Sequence, residues 1–75
     1  MKKCTIKSYW DAPVWCAEVA EKEFSLVMEA ESLDALVERV KIAVQDICET
    51  DLHYTGAIQF HLQAERIDNV MAKAS

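Results

Sequence analysis

Leu26-Val27-Met28-Glu29-Ala30-Glu31-Ser32-Leu33-Asp34-Ala35-Leu36-Val37 holds the point where a hydrophobic period of two gives way to one near 3.6. Before it, Leu26, Met28 and Ala30 fall on one side and Val27 on the other, as in a strand. After it, Leu33, Leu36, Val37, Val40, Val44 and Ile47 recur at offsets of a single helix stripe. Ser32 is a good N-cap, and Asp34 suits the positive end of the helix dipole. The polar positions Asp34, Glu38, Lys41, Gln45 and Glu49 fall largely opposite. The pattern predicts a strand from Leu26 to Ala30 and a helix from Leu33 to Glu49, its stripe packed on a sheet.

Upstream, Cys4, Ile6, Ser8 and Trp10 alternate with Thr5, Lys7 and Tyr9, predicting a strand from Cys4 to Trp10. Asp11-Ala12-Pro13 breaks it as a hairpin connection, because Pro cannot sit in a central strand. Val14 to Val19 follows as a strand whose run Val14-Trp15-Cys16-Ala17 is apolar on both faces. Such a strand is central, or it lends its second face to an interface. Which sheet face the helix covers stays open on this pattern. Ala20 to Glu23 is a charged bend.

Downstream, Thr50 to Gly56 is polar and turn-like. Ile58, Phe60, Leu62 and Ala64 then alternate with Gln59, His61, Gln63 and Glu65, predicting a half-exposed strand from Ile58 to Arg66 with four inward positions. The helix is long enough for a right-handed crossover, which places this strand parallel to the first, for an order of 3-2-1-4. Asp68 to Ser75 is expected to add a short helix or to fray. The fold class is α+β, β-β-β-α-β, one helix on a four-stranded mixed sheet.

Seventy-five residues make one expected domain, 1–75. A chain this short buries only about 60% of its unfolded surface, so help from a partner or a second copy is expected. Apolar residues are 52% of the chain, enough for a core. No apolar run reaches membrane-span length and no signal-peptide pattern opens the chain, so a cytoplasmic protein is expected. Thirteen acidic residues against eight basic ones give a net charge of −5. That disfavours direct nucleic-acid binding, which needs clustered Lys and Arg, and favours a basic protein partner.

Catalysis finds little purchase. Cys4, Cys16 and Cys48 are an odd number without a CxxC pair, read as buried thiols in a reducing compartment. Cys48 and His53 do not have metal-ligand spacing, and His61 reads as a solvated strand histidine. A two-metal nuclease would want an acid in the middle of the first strand, where Ile6, Lys7 and Ser8 stand. Asp11 only ends that strand, and Glu18, Glu29, Glu31 and Asp34 lie elsewhere. No catalytic residue, metal site or cofactor is expected.

Trp10-Asp11, Val14-Trp15-Cys16-Ala17, Leu26 to Leu33 and Ile58 to Arg66 together resemble HicB-like antitoxin domains. The closer match is to a small standalone subgroup with a WD…VWvA…GLvtEAeTLdeL pattern, and the resemblance spans residues 4 to 67. It implies a degenerate, partial ribonuclease H fold without nuclease activity. It also implies a non-catalytic antitoxin that binds and occludes a small basic, messenger-RNA-cleaving toxin of the HicA type, and assembly into dimers or larger oligomers. Longer members carry a DNA-binding segment after this domain. None is expected before Ser75, so DNA autoregulation would need another subunit. Phe24-Ser25 stands where the family usually has a Pro-Gly turn. The expected partner-binding residues are Trp15, Glu18, Glu21 and Glu23 around the second strand and bend, with Asp11 at the hairpin. The alternative is a homo-oligomeric standalone domain that binds another protein.

Overall fold

A computed structural model describes residues 1–72. The chain runs β1 (Lys2–Asp11), β2 (Val14–Ala20), β3 (Ser25–Ala30), α1 (Leu33–Thr50) and β4 (Ile58–Glu65). One four-stranded sheet has the order β3-β2-β1-β4. β2 is antiparallel to both β1 and β3, and β4 is parallel to β1. This is the expected mixed α+β arrangement, with β1 longer at both ends than its alternation indicated.

Register fixes the faces, because directly paired residues in a sheet share one. Trp10 pairs with Trp15, Ser8 with Ala17, Trp15 with Ala30, and Ala17 with Met28. Cys4 pairs with Phe60, and Ile6 with Leu62. These residues form the helix side of the sheet. Cys4, Ile6, Ala17, Val19 and Ala30 are buried there against Leu36, Val40, Val44 and Cys48 of α1. The Ser8 hydroxyl, also buried on this side, has no hydrogen-bond partner among the described residues.

Ser32 caps α1 in extended backbone, its hydroxyl accepting from the Ala35 N–H at 3.2 Å. Such a cap contributes about 1 kcal/mol. The fully buried helix positions are spaced by four, and Cys48 is the last of them, while Val37 and Ile47 are only half-buried. A step of four residues overshoots a full turn by about 40°, so the buried stripe winds around the helix and α1 crosses the sheet obliquely. Its N-terminal half lies by Ala30 at the end of β3. Its C-terminal half meets Ile58 and Phe60 at the start of β4.

The oblique crossing corrects the reading of β4. Its alternation gives four inward positions, but only Ile58 and Phe60 are half-buried. Leu62 and Ala64 point to the helix side and remain exposed, because α1 does not reach that corner. The chain after β4 also differs from one of the two expectations. Arg66 to Ala72 has no secondary structure, so no helix forms there, and Lys73 to Ser75 lie outside the described residues.

The helix leaves through backbone bonds from Asp51 N–H and Leu52 N–H to Ile47 C=O and from Tyr54 N–H to Cys48 C=O. His53 takes a positive φ of 52° in this exit, a local turn role. Gly56 has φ 144° and lies against the Tyr54 ring, so a Cβ there would meet both backbone strain and the phenol oxygen at 3.0 Å. The Tyr54 hydroxyl donates to Ala57 C=O and accepts from Lys2 N–H, pinning the loop to the start of β1.

Candidate functional site

The face of the sheet without the helix carries Lys3, Thr5, Lys7, Tyr9 and Asp11 from β1. Val14, Cys16 and Glu18 of β2, Val27 and Glu29 of β3, and His61 and Glu65 of β4 share it, as alternation and register require. Tyr9 lies toward the Asp11 end of this face, paired with Cys16 on one side and with Glu65, the last residue of β4, on the other. Cys16 is only 8% exposed although no helix covers it. Tyr9 and Glu29 are its directly paired neighbours on either side.

A diagonal apolar strip of Tyr9, Cys16 and Val27 runs over the bare face, with Lys7 and Glu18 paired directly beside it. Tyr9 is 39% and Val27 72% exposed, with Cys16 between their strands and Val14 beside it. Asp11, Glu18, Glu29 and Glu65 stand around the strip, all exposed, and none joins an ion pair among the described residues. Their nearness is felt at the Tyr9 hydroxyl. Its pKa is pushed up by desolvation first, then by Cys16, Glu18 and Asp11. The carboxylates raise it because they oppose a second negative charge.

The five sequence-derived candidates are not gathered in one place. Asp11 and Glu18 lie on this bare face. Trp15 lies on the other side of the sheet, half-buried against the core, its ring 5.7 Å from Trp10 and tilted by 59°. The residues of β2 that face away from the helix are Val14 and Cys16. Glu21 and Glu23 follow β2 at the end of the sheet opposite Asp11. Glu21 accepts a hydrogen bond from the Thr5 backbone N–H at 3.0 Å, and Glu23 pairs with Lys2 at 3.3 Å. Sequence reasoning missed Tyr9, Val27 and Glu29 as one surface. The signal was present in the odd-numbered positions of the first and third strands, once the register was known.

Glu21 also acts on the buried Cys4 thiol. Burial, then the Glu21 charge, the Cys48 thiol and a hydrogen bond with Glu21 push Cys4 up to about 11 from 9.0. A raised folded-state pKa means the folded chain holds this proton where the unfolded chain has lost it. Stability from this group is therefore complete below pH 9 and lost as pH rises through about 11. Thermal melts should fall across that window, and Cys4→Ala should flatten the fall. An unchanged pH slope in Cys4→Ala would contradict it.

No group of three or more His, Cys, Asp or Glu side chains converges in metal-binding geometry among the described residues. Cys4, Cys16 and Cys48 are all free and buried. Among the described residues, no helix is long and apolar enough to cross a membrane.

A family model described as a domain of unknown function, DUF1902, matches residues 3–73. The chain belongs to that family. No curated protein and no solved structure shows significant similarity to it. The match takes in all of β1 but its first residue, both other hairpin strands, α1 and β4, so the bare face lies within the DUF1902 domain.

Proposed function

We propose that this DUF1902 domain is a non-catalytic binding module whose bare sheet face docks a small basic protein. The observation that carries the reading is the Tyr9, Cys16 and Val27 strip bordered by the unpaired carboxylates Asp11, Glu18, Glu29 and Glu65. Interfaces of this kind combine an apolar centre, depleted in charge, with a polar rim. An acidic rim draws in a basic partner and orients it before contact.

The resemblance to HicB-like antitoxins supports a finer form of the proposal. The partner would be a small messenger-RNA-cleaving toxin of the HicA type, and the sheet would cover its basic RNA-binding surface so that RNA cannot enter. Asp11 and Glu18 keep a part in this interface. Trp15, Glu21 and Glu23 contribute through the fold instead, as a core neighbour, a ladder-end acceptor and a partner of Lys2. The cell interior is the compartment in which such a complex, and three unpaired thiols, would persist.

The test is a tagged pull-down from native cells followed by mass spectrometry. A small basic protein recovered at about one copy per bait is the expected result, and adding the bait should then suppress RNA cleavage by that protein. Recovery without any basic protein would overturn the binding proposal. A basic partner without RNA-cleaving activity would overturn the antitoxin form alone.

A further inference from the structure

We infer that the end of the bare face away from Asp11 is a carboxylate subsite, built by Lys3, Thr5, Gln59 and His61, that holds an acidic side chain of the docked protein. This subsite presupposes the docking proposed above and adds to it a second contact of opposite charge. Lys3 pairs with Gln59, and Thr5 with His61, so the four are immediate neighbours on one face. A groove of about 410 Å³ opens here, with all four in its wall and no acidic side chain among the described residues that line it. Ammonium, hydroxyl, amide and imidazole can each donate a hydrogen bond, and the ammonium adds a full positive charge. A set made only of donors, one of them charged, suits an anion.

The positive charge of this corner is free. Lys3 is exposed and joins no ion pair among the described residues. The acids at this end of the sheet are engaged elsewhere, Glu21 with the Thr5 backbone N–H and Glu23 with Lys2. Lys7, further along β1, marks the boundary of the corner, with Gln63 on one side and Glu18 on the other. Tyr9 and Asp11 follow it. The face therefore reverses sign along β1, from Lys3 to Asp11, about 26 Å apart at roughly 3.3 Å per residue.

A protein carboxylate fits this corner better than a phosphate chain does. A nucleic-acid strand laid through the groove carries its charges onward over Glu18, Glu65 or Asp11, which repel them. A side-chain carboxylate is a single charge and stops at the groove. The partner then sets its basic surface over Asp11, Glu18, Glu29 and Glu65, and an acid roughly 20 Å from its contact with Tyr9, measured along β1. Two signs on one face admit one orientation. Half a turn of the partner on the sheet would set like charges together at both ends.

Two measurements test the subsite. In the first, a blocked diglutamate peptide is titrated into the full chain at about 0.1 M salt, which screens long-range repulsion by the acidic chain, and backbone amides are followed by NMR. Saturable shifts are expected at Lys3, Thr5, Gln59 and His61 and not at Val27, and they should vanish in Lys3→Glu. Unmoved amides overturn the inference, as do equal shifts from the diglutamine analogue. Tighter binding of inorganic phosphate than of the peptide overturns it too, by making the groove a phosphate site. The second measurement uses the basic protein recovered by pull-down. A partner that senses only the acidity of the sheet should bind Lys3→Glu more tightly. The subsite predicts the opposite sign, a Kd at least about fivefold higher with helical circular dichroism unchanged. Tighter binding by Lys3→Glu overturns the inference and spares the basic-partner reading. Peptide binding in the groove with no basic protein in the pull-down overturns that reading and spares the subsite.

Discussion

Leu36→Ala should lower the melting temperature by about 15–20 °C. Leu36 is fully buried, facing the sheet from the first turn of α1. Removing its branched end forfeits the transfer energy and leaves a cavity, together about 3 kcal/mol for a buried Leu→Ala change. A domain of this size moves by about 4–8 °C for each kcal/mol. Its whole stability is of the order of 5 kcal/mol, so a charged residue at the same site would leave little folded chain. Val27→Ala is the matching control. Its side chain is 72% exposed on the bare face, and a change there should stay within about 0.5 kcal/mol. Circular dichroism melts of both variants make the comparison, and a Leu36→Ala shift below about 4 °C would mean that α1 is not packed through this residue.

The elements were legible in the sequence because each carries its own period and its own punctuation. Pro13 marks the first hairpin, Ser32 caps the helix, and the crossover rule set β4 beside β1. Two things were hidden for physical reasons. A helix crosses a sheet at an angle set by the winding of its buried stripe. No alternation within β4 could tell that Phe60 is covered and Leu62 is not. The other hidden fact was the face of Trp15. A strand apolar on both sides states that two faces are occupied, and only pairing with Trp10 and Ala30 says which residues occupy each.

The candidate site was legible in its chemistry and not in its place. Acidity next to a surplus apolar face motivated the proposal of a basic partner, and the bare face carries both acidic and apolar side chains. Their junction is Tyr9, which alternation marked only as a polar-side position. Glu21 shows the opposite error. An acid in a charged bend reads as free, but a carboxylate near a strand end can accept the backbone N–H that the neighbouring strand no longer serves, as Glu21 does for Thr5.

Charge reversal on the bare face separates these roles. Asp11→Lys with Glu18→Lys should slow association with the recovered basic partner at least about tenfold at low salt, with little change in dissociation. Both carboxylates are exposed and border Tyr9. Reversing them replaces attraction by repulsion over a distance that the Debye length, about 10 Å at 0.1 M, still leaves unscreened. The difference should shrink as salt is added. Glu23→Lys changes net charge by half as much, but at the far end of the sheet where Glu23 pairs with Lys2. Its association rate should stay within about threefold of the native chain. Tyr9→Ala in the same face should act on the other rate, hastening dissociation through the loss of an aromatic anchor. Stopped-flow or surface-plasmon kinetics at two salt concentrations read all four chains. Equal slowing by Glu23→Lys and by the Asp11, Glu18 pair would show that the partner senses only net charge, and the bare face would lose its claim as the docking surface.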